Sequence, residues 1–138
     1  MNESRNTLDG FWNSFDNIQT RQKIPAWQHG FVPREHSETY PRISYEVVTS
    51  PNLNNYLLRA RVWDRRATIG FMGLTDDVMR QAGERIPESG VVLKTGIGTI
   101  TLYRGTPFTW YMPADPDDPN VVQGVINYEI RFRNQINL

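Results

Sequence analysis

The chain has 138 residues, of which 38% are apolar, 12% aromatic and 22% charged, a size and composition that suit one globular domain and exclude a disordered or fibrous chain. Fifteen basic residues balance fifteen acidic ones, so no global charge draws the chain to nucleic acid or to an anionic membrane, and any such binding has to be local. There is no cysteine, hence no disulfide and no thiolate metal site.

The polar start, MNESRNTLDG, lacks the layout of a secretory signal, and no apolar run approaches the ~18 residues of a membrane span. A cytosolic protein with no membrane partner is the expectation. From Thr7 to Ile18, the residues Leu8, Phe11, Trp12, Phe15 and Ile18 recur at spacings of three and four, the stripe of an amphipathic helix. KIPAWQHGFVPREHSETYPR follows with three prolines and mixed charges, which predicts a short edge strand around Ile24–Gln28 and then an extended loop. His29 and His36 both fall there. Their spacing supplies no convergence for a metal or for acid–base work, and a solvated loop is the plainer reading.

Ile43, Tyr45 and Val47 alternate with Ser44 and Glu46, predicting a half-buried strand over 43–49. SPNLNN supplies a turn, and in YLLRARVWD the residues Tyr56, Leu58, Ala60 and Val62 share one face while Leu57, Arg59, Arg61 and Trp63 share the other. The first set makes the better core face, and the two strands form an antiparallel hairpin. Between Ala67 and Gly83 the period becomes helical. Phe71, Leu74, Val78 and Ala82 form the stripe, Met72 and Met79 flank it, Thr75 resembles an N-cap, and Gly83 with Pro87 ends the helix.

KTGIGTITLYRG and PFTWYM read as a second hairpin broken at Gly105–Pro107. The clearest strand is the last, where Val122, Gly124, Ile126, Tyr128, Ile130 and Phe132 alternate with polar neighbours. The order of elements predicts an α+β fold: a mostly antiparallel sheet with two helices packed on one face, in a single domain over 1–138. Its expected core sets Tyr45, Val47, Leu58, Ala60, Val62, Ile126, Tyr128 and Ile130 against Phe11, Phe15, Leu74 and Val78.

Catalytic chemistry finds little support. KTGIGTI lacks the lysine-serine/threonine ending of a phosphate loop, and no serine sits in a nucleophile elbow, so neither an enzyme nor a cofactor is expected. Two clusters remain. RARVWDRR gathers Arg59, Arg61, Arg65 and Arg66 around Trp63, which fits a solvated sheet face, a protein contact or a stacking platform for single-stranded nucleic acid. In PFTWYMPADPDDPN, the residues Phe108, Trp110 and Met112 are expected on one strand face, ahead of Asp115, Asp117 and Asp118 in a loop stiffened by Pro113, Pro116 and Pro119. That loop fits a soluble connection, a docking segment or oxygen ligands for calcium, although the glycine turn and distal glutamate of the helix-flanked calcium loop are missing.

Taken in order, FWNSF, IPAW, PRISYEVV, RVWDRRAT, TLYRGTPFTWYMPADPD and INYEIRF resemble the tail terminator (tail completion) proteins of long-tailed phages of Gram-positive bacteria, over roughly residues 8–133. VWDR (Val62 to Arg65) and YRGTPF…DPD (Tyr103 to Asp117) are the most specific pieces, whereas the loop FVPREHSETYPR is longer than the family pattern. The resemblance implies a structural virion protein of the tail–neck region, assembled in the host cytoplasm. Such a subunit forms a homo-oligomeric, hexameric ring on the last ring of the tail tube protein, stops polymerisation and joins a head connector or stopper protein, while DNA passes through the lumen without specific binding. Its rival from the same assembly is another neck component, a head-completion or stopper protein contacting the portal side. Arg59, Arg61, Trp63, Arg65, Arg66, Trp110, Asp115, Asp117 and Asp118 are the expected interface residues, with the basic and acidic patches as two halves of a heterologous ring contact.

Overall fold

A computed structural model describes residues 2–18, 20–36, 39–46, 56–65, 73–95, 98–112 and 121–134. In chain order the elements are helix α1 (Asn2–Trp12), strand β1 (Ala26–Gln28), a single 3-10 turn (Arg34–His36), strands β2 (Arg42–Tyr45) and β3 (Tyr56–Arg65), helix α2 (Gly73–Arg85), and strands β4 (Val91–Lys94), β5 (Gly98–Tyr111) and β6 (Val121–Asn134). The strands form one sheet in the order β1-β2-β3-β6-β5-β4.

This corrects the expected fold class. The sheet is mixed, because β1 runs parallel to β2, and it curves into a half-barrel accompanied, among the described residues, by two short helices. Those helices do not tile a sheet: α1 meets mainly the edge strand β1, and α2 crosses β3 and β6. Parallel neighbours require a crossover of roughly a dozen residues. The stretch 29–41, expected only as an extended loop, is that crossover.

The core sits where the strand alternation puts it. Ile43, Tyr45, Leu58, Ala60, Val62, Ile126, Tyr128 and Ile130 are all buried, and Val47 lies outside the described residues. Cross-strand register aligns Tyr45 with Ala60 and Ile126, and Leu58 with Tyr128. Against this face Trp12 stacks on Phe15 at 5.5 Å and on Tyr45 at 6.2 Å, with the Tyr128 ring 5.3 Å away. Aromatic pairs of this kind add to the stabilisation that burial alone provides. Val78 and Ala82 of α2 are fully buried in the same cluster, while the Leu74 side chain lies outside the described set.

Four local expectations are corrected. The stripe from Leu8 to Ile18 is helical only to Trp12; Phe15 reaches the core from the following turn, and Ile18 is 54% exposed. The turn is anchored by pairing, since Ile24 N–H donates to the Phe15 carbonyl and Asp16 bridges to Lys23. Helix α2 starts at Gly73, so Thr75 is a buried internal residue with no partner for its hydroxyl rather than a cap. The helix also runs through Gly83, and Arg104 secures its C-terminal end, with Nη2 donating to Gly83 O at 2.9 Å and Nε to the carbonyl of Ile86, just past the helix, at 2.7 Å.

The third correction concerns β2, expected to be half-buried, whose four residues Arg42 to Tyr45 are all buried on both faces. The fourth is the second hairpin. Gly105–Pro107 is no turn: β5 continues through it, and register jumps from Arg104↔Tyr128 to Thr109↔Ile126, so that residues 105–108 form a bulge opposite Asn127. Asn127 Nδ2 donates to Pro107 O at 2.7 Å and so satisfies a carbonyl the ladder leaves out. The true hairpin joins β4 to β5, with Val91 opposite Leu102.

Candidate protein-binding face

Alternation along β3 sends Leu58, Ala60 and Val62 to the core and Leu57, Arg59, Arg61, Trp63 and Arg65 to the opposite, outer face. Register extends this face across the sheet. Arg61 lies between Ser44 and Val125, and Val125 lies between Arg61 and Trp110, so one row runs Trp27, Ser44, Arg61, Val125, Trp110. The next rows are Arg42, Trp63, Gln123 on one side and Arg59, Asn127 on the other. At ~4.8 Å between strands, Arg61 and Trp110 stand about 10 Å apart across Val125. Five of the expected interface residues, Arg59, Arg61, Trp63, Arg65 and Trp110, therefore share one face. Arg66, Asp115, Asp117 and Asp118 lie outside the described residues.

The crossover closes half of this face. Trp27 stacks on the His36 ring at 5.0 Å, and His36 Nδ1 is 3.1 Å from the Thr39 hydroxyl. Arg42 packs its guanidinium over Tyr40 and over Trp63, both at 4.8 Å, while Arg65 sits on the Tyr40 ring at 4.7 Å. Trp63 Nε1 donates to Ser44 Oγ at 3.0 Å, which explains why the outward residues of β2 are buried. Cations over aromatic faces contribute ~0.5–2 kcal/mol each, more as water is excluded. The Arg42–Tyr40–Arg65 stack thus fixes the crossover on the sheet at the β1–β2 side. His36 works here as a packed ring, and His29 is exposed.

The other half is open. Arg59 and Leu57 are exposed, Leu57 by 50%, and Arg61 and Trp110 are partly so. Val125 beneath them is 1% exposed, so the arginine and tryptophan side chains around it keep water from its methyls. Among the described residues the guanidinium groups of Arg59, Arg61 and Arg65 make no ion pair, although Glu46 Oε1 accepts the Arg59 N–H at 2.8 Å beside them on the sheet; ion pairs are found instead in Asp16–Lys23 and in Asp77–Arg80–Glu84 along α2. Val92 of β4, opposite Thr101, adds a second exposed apolar side chain at 59% exposure. Arg131 packs over Tyr103 at 5.0 Å.

Such a surface is suited to binding. Arginine and tryptophan are the residues on which binding energy concentrates at protein interfaces. Among the described residues no three histidine, aspartate or glutamate side chains converge as a metal site, and no helix among them is long and apolar enough to cross a membrane. The chain matches no protein-family model and no curated protein.

Two parts of the face escape a reading of the sequence. Trp110 joins Arg61 only because β6 lies between β3 and β5 and because the bulge resets the β5 register. Phe108, expected beside Trp110, falls within the bulge instead; it packs against the core cluster under the Arg104 guanidinium at 4.6 Å. The Tyr40–Arg42–Trp63 stack had one available signal, the pairing of Arg42 and Ser44 on the outward side of a strand too buried to be solvated.

Proposed function

We propose that this protein is a structural subunit of the tail-terminator kind: a ring-forming virion protein that caps the last ring of a phage tail tube, ends its growth and offers the surface to which the head connector joins. Two observations support the reading. VWDR and YRGTPF…DPD resemble that family, and Trp63 and Arg65 of the first motif share one sheet face with Arg59, Arg61 and Trp110. The second observation carries the proposal, because an open arginine–tryptophan sheet face suits repeated protein contact. The balanced total charge suits a ring through which DNA passes, since lysine and arginine neutralising phosphates is what drives non-specific DNA binding.

Electron microscopy of the protein mixed with purified tail tubes tests this. Rings seated at one tube end support it; a protein that ignores tubes but co-purifies with the portal adaptor assigns it to the head-completion or stopper class; single particles that bind neither overturn the proposal.

A further inference from the structure

Arg42 is a buried cation with no counter-ion among the described residues. It is 8% exposed, and none of their carboxylates pairs with it. Its Nη1 donates to Thr39 O at 3.1 Å, whereas Nε is sealed from solvent with no hydrogen-bond partner and Nη2 makes no hydrogen bond within the described residues. The Tyr40 and Trp63 rings lie against the guanidinium, each at 4.8 Å. Such stacking contributes ~0.5–2 kcal/mol per ring, while burying an unpaired ion costs several kcal/mol. The rings alone therefore leave the charge unbalanced, and a buried nitrogen without a partner points to a group that comes from outside the chain.

A second guanidinium meets the same ring. Arg42 stands opposite Trp63, and Arg65 follows two residues along β3 on the same face, which makes the two arginines diagonal neighbours across the strands. Arg65 lies 4.7 Å from the Tyr40 centroid, so the two guanidinium carbons are at most about 10 Å apart, near the ~8 Å that separates two arginines sharing one phosphate. The carboxylates around this end are engaged or remote. Asp64 is 3% exposed on the core side and accepts the Arg65 N–H at 2.8 Å. Glu35, in the exposed 3-10 turn, pairs with neither arginine. Glu46 is bonded at Arg59 and Glu129 is in register with Leu57, four and six residues before Trp63, or about 13 and 20 Å along the strand.

We propose that Arg42 and Arg65, with the Tyr40 ring they share, form a binding site for a phosphate-type dianion, either inorganic phosphate or a phosphate monoester. The inference stands apart from the ring-subunit reading and does not rest on it. Two cations match a double negative charge. A tetrahedral group also offers oxygens to two forks that arrive from different strands, whereas a planar carboxylate matches one fork. The donors are Arg42 Nη2 and the exposed Arg65 guanidinium. Because Tyr40 and Arg42 lie where the crossover enters β2, a bound dianion ties that crossover to β3, and the native state gains stability as the ligand is added.

Inorganic phosphate is titrated into the full chain above neutral pH, where it is chiefly a dianion, at constant ionic strength and beside chloride and acetate controls. Nuclear magnetic resonance follows the arginine Nε–H signals, and thermal melts follow stability. Saturable shifts at Arg42 and Arg65, a melting temperature raised by phosphate but not by the controls, and at least a ten-fold weaker affinity in R65Q support the proposal. Arg65 is exposed, so R65Q should keep the wild-type amide spectrum and carries the test even where a change at buried Arg42 unfolds the chain. Phenyl phosphate identifies the source: tighter binding than inorganic phosphate assigns the site to a monoester, and weaker binding assigns it to the free ion. No saturable shift up to tens of millimolar phosphate, an equal response to chloride, or an unchanged affinity in R65Q each overturns the proposal. So does tighter binding of an oligonucleotide without terminal phosphates, which would make the site one for a diester backbone.

Discussion

Asn13 and Ala26 exchange two hydrogen bonds: Asn13 Nδ2 donates to Ala26 O at 3.1 Å, and Ala26 N–H donates to Asn13 Oδ1 at 3.0 Å. A side-chain amide thus plays the part of a strand neighbour at the edge of the sheet. The same Nδ2 also donates to Asp9 O at 2.8 Å, so one residue closes α1 and secures the start of β1. Replacing Asn13 by Ala leaves the polar backbone of a 4%-exposed residue without these partners and should cost about 1–3 kcal/mol. Denaturant unfolding measures it. A loss under ~0.5 kcal/mol would mean that β1 is held by β2 alone.

Ile126 occupies the centre of the core face between Ala60 and Thr109 and is fully buried. Ile126→Ala should destabilise by about 2–5 kcal/mol, the range for large-to-small changes in cores. Unfolding of the variant by urea gives the value, and a change below ~0.5 kcal/mol contradicts the face assignment.

The core face and the arginine face were legible together, because one period-two pattern in Leu57 to Trp63 assigns both at once. The edges of elements were not. Phe15 keeps the helical spacing of Leu8 and Trp12 yet sits beyond the helix, since its burial comes from a turn tied to Ile24, a contact no periodicity encodes. Gly105 and Pro107 carry the composition of a turn, but their partner is Asn127, twenty residues or more along the chain, whose side chain accommodates the bulge. The parallel pairing of β1 and the Trp27–His36 stack arise from the path of the crossover, which local sequence leaves open.

Two glycines should respond differently to alanine. At Gly124 an added Cβ would lie 2.0 Å from Met79 Cε and 2.9 Å from Thr75 Cγ2, and the methionine end can swing aside. At Gly105 it would meet Asn127 Cβ at 2.8 Å and the Asn127 backbone carbon at 3.0 Å, which cannot move without β6. Gly105→Ala should therefore be the costlier, by about 1–3 kcal/mol on the scale of overpacking. Parallel thermal melts compare them; equal costs would contradict a rigid bulge.

Stability should fall at alkaline pH. Burial, reinforced by the hydrogen bond to Asp9, raises the Tyr45 pKa above its ordinary value of 10.0, and burial together with the Glu46 charge raises that of Tyr128. A raised folded-state pKa gives stability that is complete below the unfolded value and is lost as pH rises above it. Unfolding free energy should hold steady to pH ~10 and decline beyond, the decline being shallower in Tyr128→Phe. An unchanged slope in that variant would show that the tyrosine does not govern the alkaline loss.

Tube growth tests the central claim most directly, by following purified tail tube protein as it polymerises with sub-stoichiometric amounts of this chain. Growth should stop at one end, with tube length falling as the chain is added, and R59E/R61E should stop it poorly while remaining folded. Tubes that lengthen at the same rate and to the same extent with and without the chain would contradict it.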